Sequence, residues 1–163
     1  MYTYTVDIMY VLLYTPHIRL VIEMQTIHAT QARKEWSATL DIVARDKPII
    51  IKRTRDLMFL SDITLLSELL EVYKYHARII TEDNGSVTIS LDEIDLIENA
   101  PAETEAVQKM ASSILDYAED YYADFAYWAR GDRKAHIPYI FKALILNDIN
   151  KIGGLIECRH GGN

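Results

Sequence analysis

Cysteine is almost missing from this chain of 163 residues, which contains Cys158 alone. A single cysteine excludes the internal disulfide framework that holds many small secreted domains together. The sequence also lacks a recognisable secretory signal, an internal repeat and a low-complexity tract. We therefore expect a protein of the reducing cytoplasm that folds without covalent cross-links.

Uninterrupted hydrophobic runs are missing as well. The hydrophobic start of the chain, residues 1 to 23, carries no basic stretch ahead of its apolar part. Four residues interrupt it: Asp7, Pro16, His17 and Arg19. This segment fits neither a signal peptide nor a membrane span, so no membrane partner is predicted. Two interpretations stay open: an N-terminal extension from a start codon placed too early, or an additional strand or hydrophobic arm.

Positive charge is scarce overall but locally concentrated. The chain has a formal net charge of −7, yet residues 24 to 57 carry +3 and residues 58 to 163 carry −9. Such polarity is typical of a protein with one end that faces a polyanion and an acidic end with a different role. Because 50% of the residues are hydrophobic, the chain can form one or two small domains with cores of their own.

The basic part of the chain has the pattern of a small α+β unit. The stretch QTIHA predicts a short strand, and Thr30 is the expected N-cap of a helix. The predicted apolar stripe of this helix consists of Ala32, Trp36, Leu40 and Val43. Pro48 ends the helix, because proline disfavours the α conformation of the residue before it. The strands IIIKR and LMFL then predict a hairpin with a basic tip.

A capped helix is expected to close this first unit near residue 75. Asp62 is its predicted N-cap. Its predicted apolar residues are Ile63, Leu66, Leu69, Leu70 and Tyr73.

The rest of the chain predicts one hairpin and several helices. Asn84-Gly85 suits a tight type I′ turn between two strands. Predicted helices run from Ala102 to Trp128, from about Arg133 to Leu146, and from Asp148 to Ile156. The apolar face of the longest consists of Val107, Met110, Ile114, Tyr117, Tyr121, Phe125 and Trp128. The expected fold class is α+β, with a strand–helix–hairpin–helix domain followed by a β-hairpin and C-terminal helices.

Four short motifs occur together between residues 24 and 75. They are ARK in the first helix, LD at Leu40-Asp41 further along the chain, the strand KPIIIKR and the returning strand FLSD. This combination resembles the N-terminal domain of the prevent-host-death (Phd/YefM) antitoxins. The resemblance implies a domain that forms a homodimer, or a higher even-numbered oligomer, and represses its own operon by binding operator DNA. The family's hairpin turn usually contains glycine, whereas here the turn is Thr54-Arg55-Asp56.

The resemblance also places DNA-contacting arginines at Arg33 and Arg53. With neighbouring basic residues, the predicted DNA-binding set is Arg33, Lys34, Lys52, Arg53 and Arg55. Arginine can form two hydrogen bonds to a guanine edge or clamp a phosphate, whereas lysine is better suited to nonspecific anchoring. The alternative is a solvated helix face beside a charged hairpin tip.

The acidic part of the chain carries a second resemblance. Residues 76 to 125 contain a hairpin with an acidic-glycine turn, LDEIDLI at the end of a strand, and a helix that opens with ETEAV. This order resembles the HicB-like antitoxin module. It assigns residues 76 to 163 to a toxin-neutralising or regulatory domain. Together the two resemblances imply an antitoxin of a type II toxin–antitoxin system, with operator DNA and a cognate protein toxin as partners.

Carboxylates and tyrosines share the outer side of the predicted long helix. The candidate partner-binding residues are Asp116, Glu119, Asp120, Tyr122, Asp124 and Tyr127. An acidic aromatic face suits a basic ribonuclease toxin in charge and in chemistry. The alternative is a solvated acidic face over a tyrosine-rich core.

Catalysis is not predicted for this sequence. The helix carboxylates could bind Mg²⁺, but their spacing is ordinary on an exposed helix and no second ligand set is evident. We therefore expect no enzyme activity, no catalytic residue, no metal and no cofactor. Two alternatives stay open: a protein–protein interaction module that does not bind DNA and, more remotely, a metal-dependent nuclease.

Overall fold

A computed structural model of the protein describes residues 24 to 160. The extension considered at residues 1 to 23 lies outside this range, as do residues 161 to 163. The fold is mixed α+β, as predicted, and the described residues form two separate sheets. The chain divides into two compact units at the boundary between Ser61 and Asp62. The helix expected to close the first unit therefore belongs to the C-terminal unit.

The N-terminal unit combines a three-stranded sheet with two short helices. Its elements are β1 (Thr26–His28), α1 (Ala29–Lys34), α2 (Trp36–Arg45), β2 (Ile49–Arg53) and β3 (Asp56–Leu60). The sheet order is β1-β2-β3, with β1 parallel and β3 antiparallel to β2. The strands and the hairpin expected from the sequence are present in this unit.

The first helix is broken, which the sequence pattern did not predict. At Glu35 the backbone leaves the helical region, with φ −118° and ψ 38°. The residues buried along α1 and α2 are Ala32, Thr39 and Val43. Because the break changes which residues face inward, Trp36 and Leu40 are exposed, contrary to the predicted stripe. The N-cap prediction is also wrong, since α1 begins after His28 and Thr30 lies inside it.

The β2–β3 hairpin closes with a two-residue turn. Arg53 pairs with Asp56, so Thr54 and Arg55 form the tip. Thr54 has a φ of +54°, in the left-handed region that branched side chains rarely adopt. The hairpin therefore forms without the usual glycine, at the cost of backbone strain at one residue.

The C-terminal unit contains a four-stranded sheet and most of the helices. Its elements are α3 (Ile63–Leu69), β4 (Tyr75–Thr81), β5 (Val87–Leu91), β6 (Ile97–Ala100), α4 (Glu103–Ala123), α5 (Phe125–Trp128), a 3₁₀ segment (Gly131–His136), α6 (Ile137–Leu146), α7 (Ile149–Gly153) and β7 (Ile156–His160). The sheet order is β6-β5-β4-β7. Strand β7 pairs in parallel with β4, whereas the sequence pattern had continued a helix as far as Ile156.

Two local predictions in this unit have different outcomes. Asp62 caps α3 as expected, since its carboxylate accepts hydrogen bonds from the backbone N–H groups of Thr64 and Leu65. The hairpin at Asn84-Gly85 is present, but its turn is not type I′. Gly85 alone has a positive φ there, and its N–H donates to the carbonyl of Glu82. This arrangement is typical of a three-residue loop with a glycine bulge.

The core of the C-terminal unit lies between the sheet and α4, α6 and α7. Its largest fully buried side chains are Tyr75, Ile89, Ile94, Met110, Ile114, Tyr121, Ile140 and Ile152. The Tyr75 hydroxyl donates to the carbonyl of Tyr139 at 2.8 Å, which satisfies its buried polar atom. The predicted long helix is shorter than expected, because α4 ends at Ala123 and the chain turns at Asp124 (φ −126°, ψ 56°) before α5.

Candidate nucleic-acid interface and partner surface

Three of the five predicted DNA-binding cations meet in one cleft of the N-terminal unit. The basic cleft has a volume of about 520 Å³, and its lining residues are His28, Ala29, Thr30, Arg33, Lys52, Arg53 and Thr54. Arg33, Lys52 and Arg53 supply its cations, while His28 and the two threonines supply further polar atoms. The structure therefore places basic and hydrogen-bonding groups from one helix and two strands around one concave surface.

The parallel pairing of β1 with β2 explains this arrangement. It places His28 opposite Lys52, and α1 begins at the residue after His28. Arg33 is carried on α1, so the helix brings it towards the end of β2 where Arg53 lies. Sequence reasoning identified the cations but did not assign His28, Thr30 and Thr54 to the cleft, because the pairing partner of a three-residue strand cannot be read from its sequence.

No carboxylate lines the basic cleft. Across residues 24 to 160, none of the five predicted DNA-binding residues forms an ion pair with an acidic side chain. Elsewhere in the unit, Arg45 lies 3.7 Å from Asp41. Because the cleft cations are exposed and lack internal counter-charges in the described chain, phosphate groups can approach them.

Lys34 and Arg55 lie outside the basic cleft. Both are exposed; Lys34 is the last residue of α1, and Arg55 is at the hairpin tip. Their positions suit additional contacts at the rim of a bound polyanion.

The predicted partner-binding residues are all exposed, but one helix does not carry all of them. Asp116, Glu119 and Asp120 lie on the outer side of α4, opposite its buried residues. Asp124 is the C-terminal cap of α4, and its N–H donates a hydrogen bond to the carbonyl of Asp120. The helix that was expected to carry all six residues ends at Ala123, so Tyr127 lies on α5. A partner surface formed by these residues stays a prediction.

The two candidate tyrosines have different neighbours. The ring of Tyr122 lies 6.2 Å from that of Phe141 on α6. Tyr127, on α5, borders a cleft of about 510 Å³ that also contains Arg130 and Arg133. The partner residues therefore divide into a carboxylate group on α4, an aromatic contact with α6 and a mixed-charge cleft beside α5.

An aromatic cluster supports the chain after α4. Arg133 stacks on the Trp128 ring, with its guanidinium carbon 4.6 Å from the ring centroid. Tyr121 donates a hydrogen bond to the carbonyl of Arg133 at 2.8 Å. The Tyr117 hydroxyl lies 2.9 Å from Nδ1 of His136, and desolvation by burial lowers the pKa of that histidine.

Sequence reasoning missed the buried Lys142. Its Nζ donates hydrogen bonds to the carbonyl oxygens of Tyr73 and Glu71, just beyond α3. Desolvation by burial lowers the pKa of this lysine, and nearby Lys74 lowers it further. A lysine in an otherwise apolar helix, IPYIFKALIL, is the signal that could have indicated an internal partner.

Several features limit the chemistry available to the described part of the chain. Among the side chains that the structure describes, residues 24 to 159, no three His, Cys, Asp or Glu are arranged to hold a metal ion. The thiol of Cys158 is half-buried, and desolvation raises its pKa, which disfavours the reactive thiolate. In the same range, no helix is both long and apolar enough to cross a membrane.

Comparison with protein families gives a match across both units. Residues 24 to 158 match the PHD-like family described as the antitoxin of RelE/RelB toxin–antitoxin systems. Among curated proteins, no match was found.

A solved structure shares the fold of this protein. It is the crystal structure of an antitoxin part of a proposed toxin/antitoxin system from Syntrophomonas wolfei subsp. wolfei. The two sequences are 38% identical, and the alignment covers 85% of this chain and 100% of the other, with a TM-score of 0.80.

Proposed function

The chain belongs to the antitoxin family of RelE/RelB toxin–antitoxin systems, and from this premise we propose that it represses its own operon by binding operator DNA as a homodimer. We further propose that it neutralises its cognate toxin through the C-terminal unit. Members of an antitoxin family act by binding rather than by catalysis, so the protein is not an enzyme. Its assignment to the Phd/YefM branch and the HicB-like character of residues 76 to 125 stay predictions.

The basic cleft is the observation that carries the DNA-binding proposal. It collects Arg33, Lys52 and Arg53 in a chain whose total charge is −7. Cations within a Debye length of about 8 to 10 Å dominate the potential felt by a phosphate, so the acidity of the rest of the protein does not prevent binding. Lys34 and Arg55 would add contacts at the rim.

Exposed apolar residues of the N-terminal unit support the homodimer. Leu57, Met58 and Phe59 are consecutive exposed residues of the edge strand β3. Trp36 and Leu40 are exposed on α2. Side chains of this size cost free energy when they remain in water, and an unpaired strand edge favours pairing with another chain. Association of two such units would cover the apolar residues and present two basic clefts to one duplex.

Acidity of the C-terminal unit supports the proposed contact with a toxin. The candidate contact residues are Asp116, Glu119, Asp120, Tyr122, Asp124 and Tyr127. Opposite charge on the toxin would accelerate association and favour the correct partner. In this mechanism one antitoxin surface blocks one toxin, without turnover. We propose that the protein acts in the cytoplasm, where it can reach both the toxin and the operator.

An interaction module that does not bind DNA is the competing function. In that case the basic cleft would pair with acidic residues of a protein partner. An electrophoretic mobility shift with DNA from upstream of the protein's own gene separates the two functions. We expect a specific shift that resists competition by unrelated DNA, whereas a shift that unrelated DNA removes equally well would favour the interaction module.

Toxin neutralisation needs a separate test. The toxin encoded beside the gene is expressed from an inducible promoter, with or without the full-length antitoxin. We expect growth arrest by the toxin alone and recovery on co-expression. Arrest that persists with soluble antitoxin present would contradict this part of the proposal.

A further inference from the structure

An apolar groove crosses the C-terminal unit between α3 and α6. The α3–α6 groove has a volume of about 410 Å³, and its lining residues are Leu66, Leu69, Leu70, Tyr73, Ile137, Pro138 and Phe141. Its lining contains no charged side chain. A groove of this kind can accept the apolar side chains of a helix.

Helix α3 does not bury the apolar side chains that it carries. Four of its seven residues are isoleucine or leucine, and no residue of the helix is buried. Ile63 is 59% exposed and Leu69 is 58% exposed. A short helix in water draws most of its stability from packing of its apolar side. A partner that covers the exposed apolar side chains of helix α3 would therefore stabilise it.

The apolar surface continues on both sides of the groove. On one side, the Phe141 ring lies 6.2 Å from Tyr122 and 6.0 Å from Phe125, and both of these rings are exposed. On the other side, Leu70 also lines a mostly apolar cavity of about 600 Å³ beside Val72, which is 78% exposed, and Glu71, Lys74 and Lys142 lie at the same cavity. A connected apolar surface of this extent is typical of a protein-binding site rather than of scattered surface residues.

Charge indicates which kind of partner fits this surface. Glu119 is one helical turn before Tyr122, and Asp124 directly precedes Phe125. The unit as a whole, residues 62 to 163, carries a net charge of −9. A second copy of the unit would bring like charges together, which opposes association, whereas a basic partner is attracted.

We propose that the α3–α6 groove is the docking site of the cognate toxin and receives the apolar side of an amphipathic helix bordered by lysine or arginine. The inference rests on the proposed antitoxin function and adds the location of the central contact. The acidic residues Glu119 and Asp124 then border the contact, and Tyr122 belongs to it directly. The apolar groove would supply most of the binding energy, and the carboxylates would guide association.

The test compares two matched substitutions in the full-length antitoxin. Leu69→Asp places a charge in the groove, and Ile97→Asp does the same on β6, at a residue that is 68% exposed and does not line the groove. Binding to the purified toxin encoded beside the gene is measured by isothermal titration calorimetry, after circular dichroism has shown unchanged folding. We expect Leu69→Asp to weaken binding at least about 30-fold, the effect of losing a hot spot, and Ile97→Asp to change it less than about twofold.

A further variant tests the same surface from another helix. Tyr122→Ala removes an aromatic side chain beside Phe141 and keeps the experiment informative if Leu69→Asp does not fold. We expect it to weaken binding about 10-fold. For the border, Glu119→Lys is compared with Asp83→Lys in the exposed β4–β5 turn, and the first variant alone should slow association.

The outcomes separate the groove from the proposed function. If wild-type antitoxin binds the toxin and the groove variants bind equally well, the groove proposal is wrong while the antitoxin function stands. If Leu69→Asp changes the oligomeric state and leaves toxin affinity unchanged, the groove is an interface between copies of this chain. If wild-type protein does not bind the toxin at all, both the proposed toxin neutralisation and the groove proposal that rests on it are wrong.

Discussion

Arg33, in the last turn of α1, and Arg53, the final residue of β2, line the same cleft of the N-terminal unit. Their convergence leads to the first prediction. Replacing both with alanine removes four cations from a dimer and should weaken operator binding at least about 100-fold, since each well-placed arginine contact contributes roughly 1–3 kcal/mol. Fluorescence anisotropy with labelled operator DNA measures the change.

A lysine outside the basic cleft provides the control for this double variant. Lys47 is exposed and follows α2, so Lys47→Ala removes a positive charge without altering the cleft lining. We expect a change in operator affinity of less than about threefold, with circular dichroism and dimer mass unchanged in both proteins. Equal losses in the two proteins would show that total charge, rather than the cleft, determines binding.

Backbone strain at the hairpin tip gives the second prediction. Thr54 has a φ of +54°, where a branched side chain is strained and glycine is not. Thr54→Gly should raise the free energy of unfolding by about 0.5 to 1 kcal/mol, the released strain being partly offset by the greater freedom of glycine in the unfolded chain. Urea unfolding measures this. Thr81→Gly, in the extended strand β4, should instead lower stability by a similar amount.

The buried amine of Lys142 gives the third prediction. Its Nζ satisfies the carbonyl oxygens of Tyr73 and Glu71 beyond the end of α3. Lys142→Met keeps much of the side-chain volume but leaves these carbonyls without that donor, so we expect a loss of about 1–3 kcal/mol in unfolding free energy. Lys151→Met, at an exposed lysine on α7, should change stability by less than about 0.5 kcal/mol. Equal stability of both variants with wild type would contradict a structural role for Lys142.

The environment of His136 gives the fourth prediction, a dependence of stability on pH. Burial lowers its pKa in the folded protein from an unfolded value of 6.5, and Tyr117 provides a hydrogen-bond partner for Nδ1. Asp95 opposes this lowering of the pKa and Arg133 reinforces it. The unfolded chain therefore takes up the proton first as pH falls. Stability is fully present above pH 6.5 and is lost as pH falls from there through the folded-state pKa.

Thermal unfolding between pH 7.5 and 5 measures this dependence. The melting temperature of wild-type protein should fall over the acidic part of the range. His136→Asn removes the titrating group and should flatten the curve. An identical slope in the variant would assign the pH dependence to other residues.

Local sequence signals predicted the parts of the fold that depend on neighbouring residues. The Asp62 cap, the IIIKR strand and the hairpin at Asn84-Gly85 each depend on a few adjacent side chains, and each is present in the structure. Signals of this kind act within a few residues, so they are visible in the sequence.

Features that depend on distant residues were not predicted. The parallel strand β7 exists because it pairs with β4, which lies about eighty residues earlier in the chain. The breaks at Glu35 and Asp124 occur where no proline or glycine indicates them, so packing decides where these helices end. The basic cleft has the same limit. The sequence identified Arg33 and Arg53, but the position of His28 beside them depends on the pairing of β1 with β2 and became visible only in the structure.

The most direct test of the account is the salt dependence of operator binding by the full-length protein. Its affinity for DNA from upstream of its own gene is measured by fluorescence anisotropy between about 50 and 200 mM salt. Phosphate contacts from two basic clefts predict a linear plot of log affinity against log salt, with a slope of about −0.9 for each phosphate contacted. If each of the three cleft cations contacts one phosphate, the slope for a dimer is about −5. The Arg33→Ala, Arg53→Ala double variant should have a clearly shallower slope. A slope near zero, or one that the double variant leaves unchanged, would contradict DNA binding through the basic cleft.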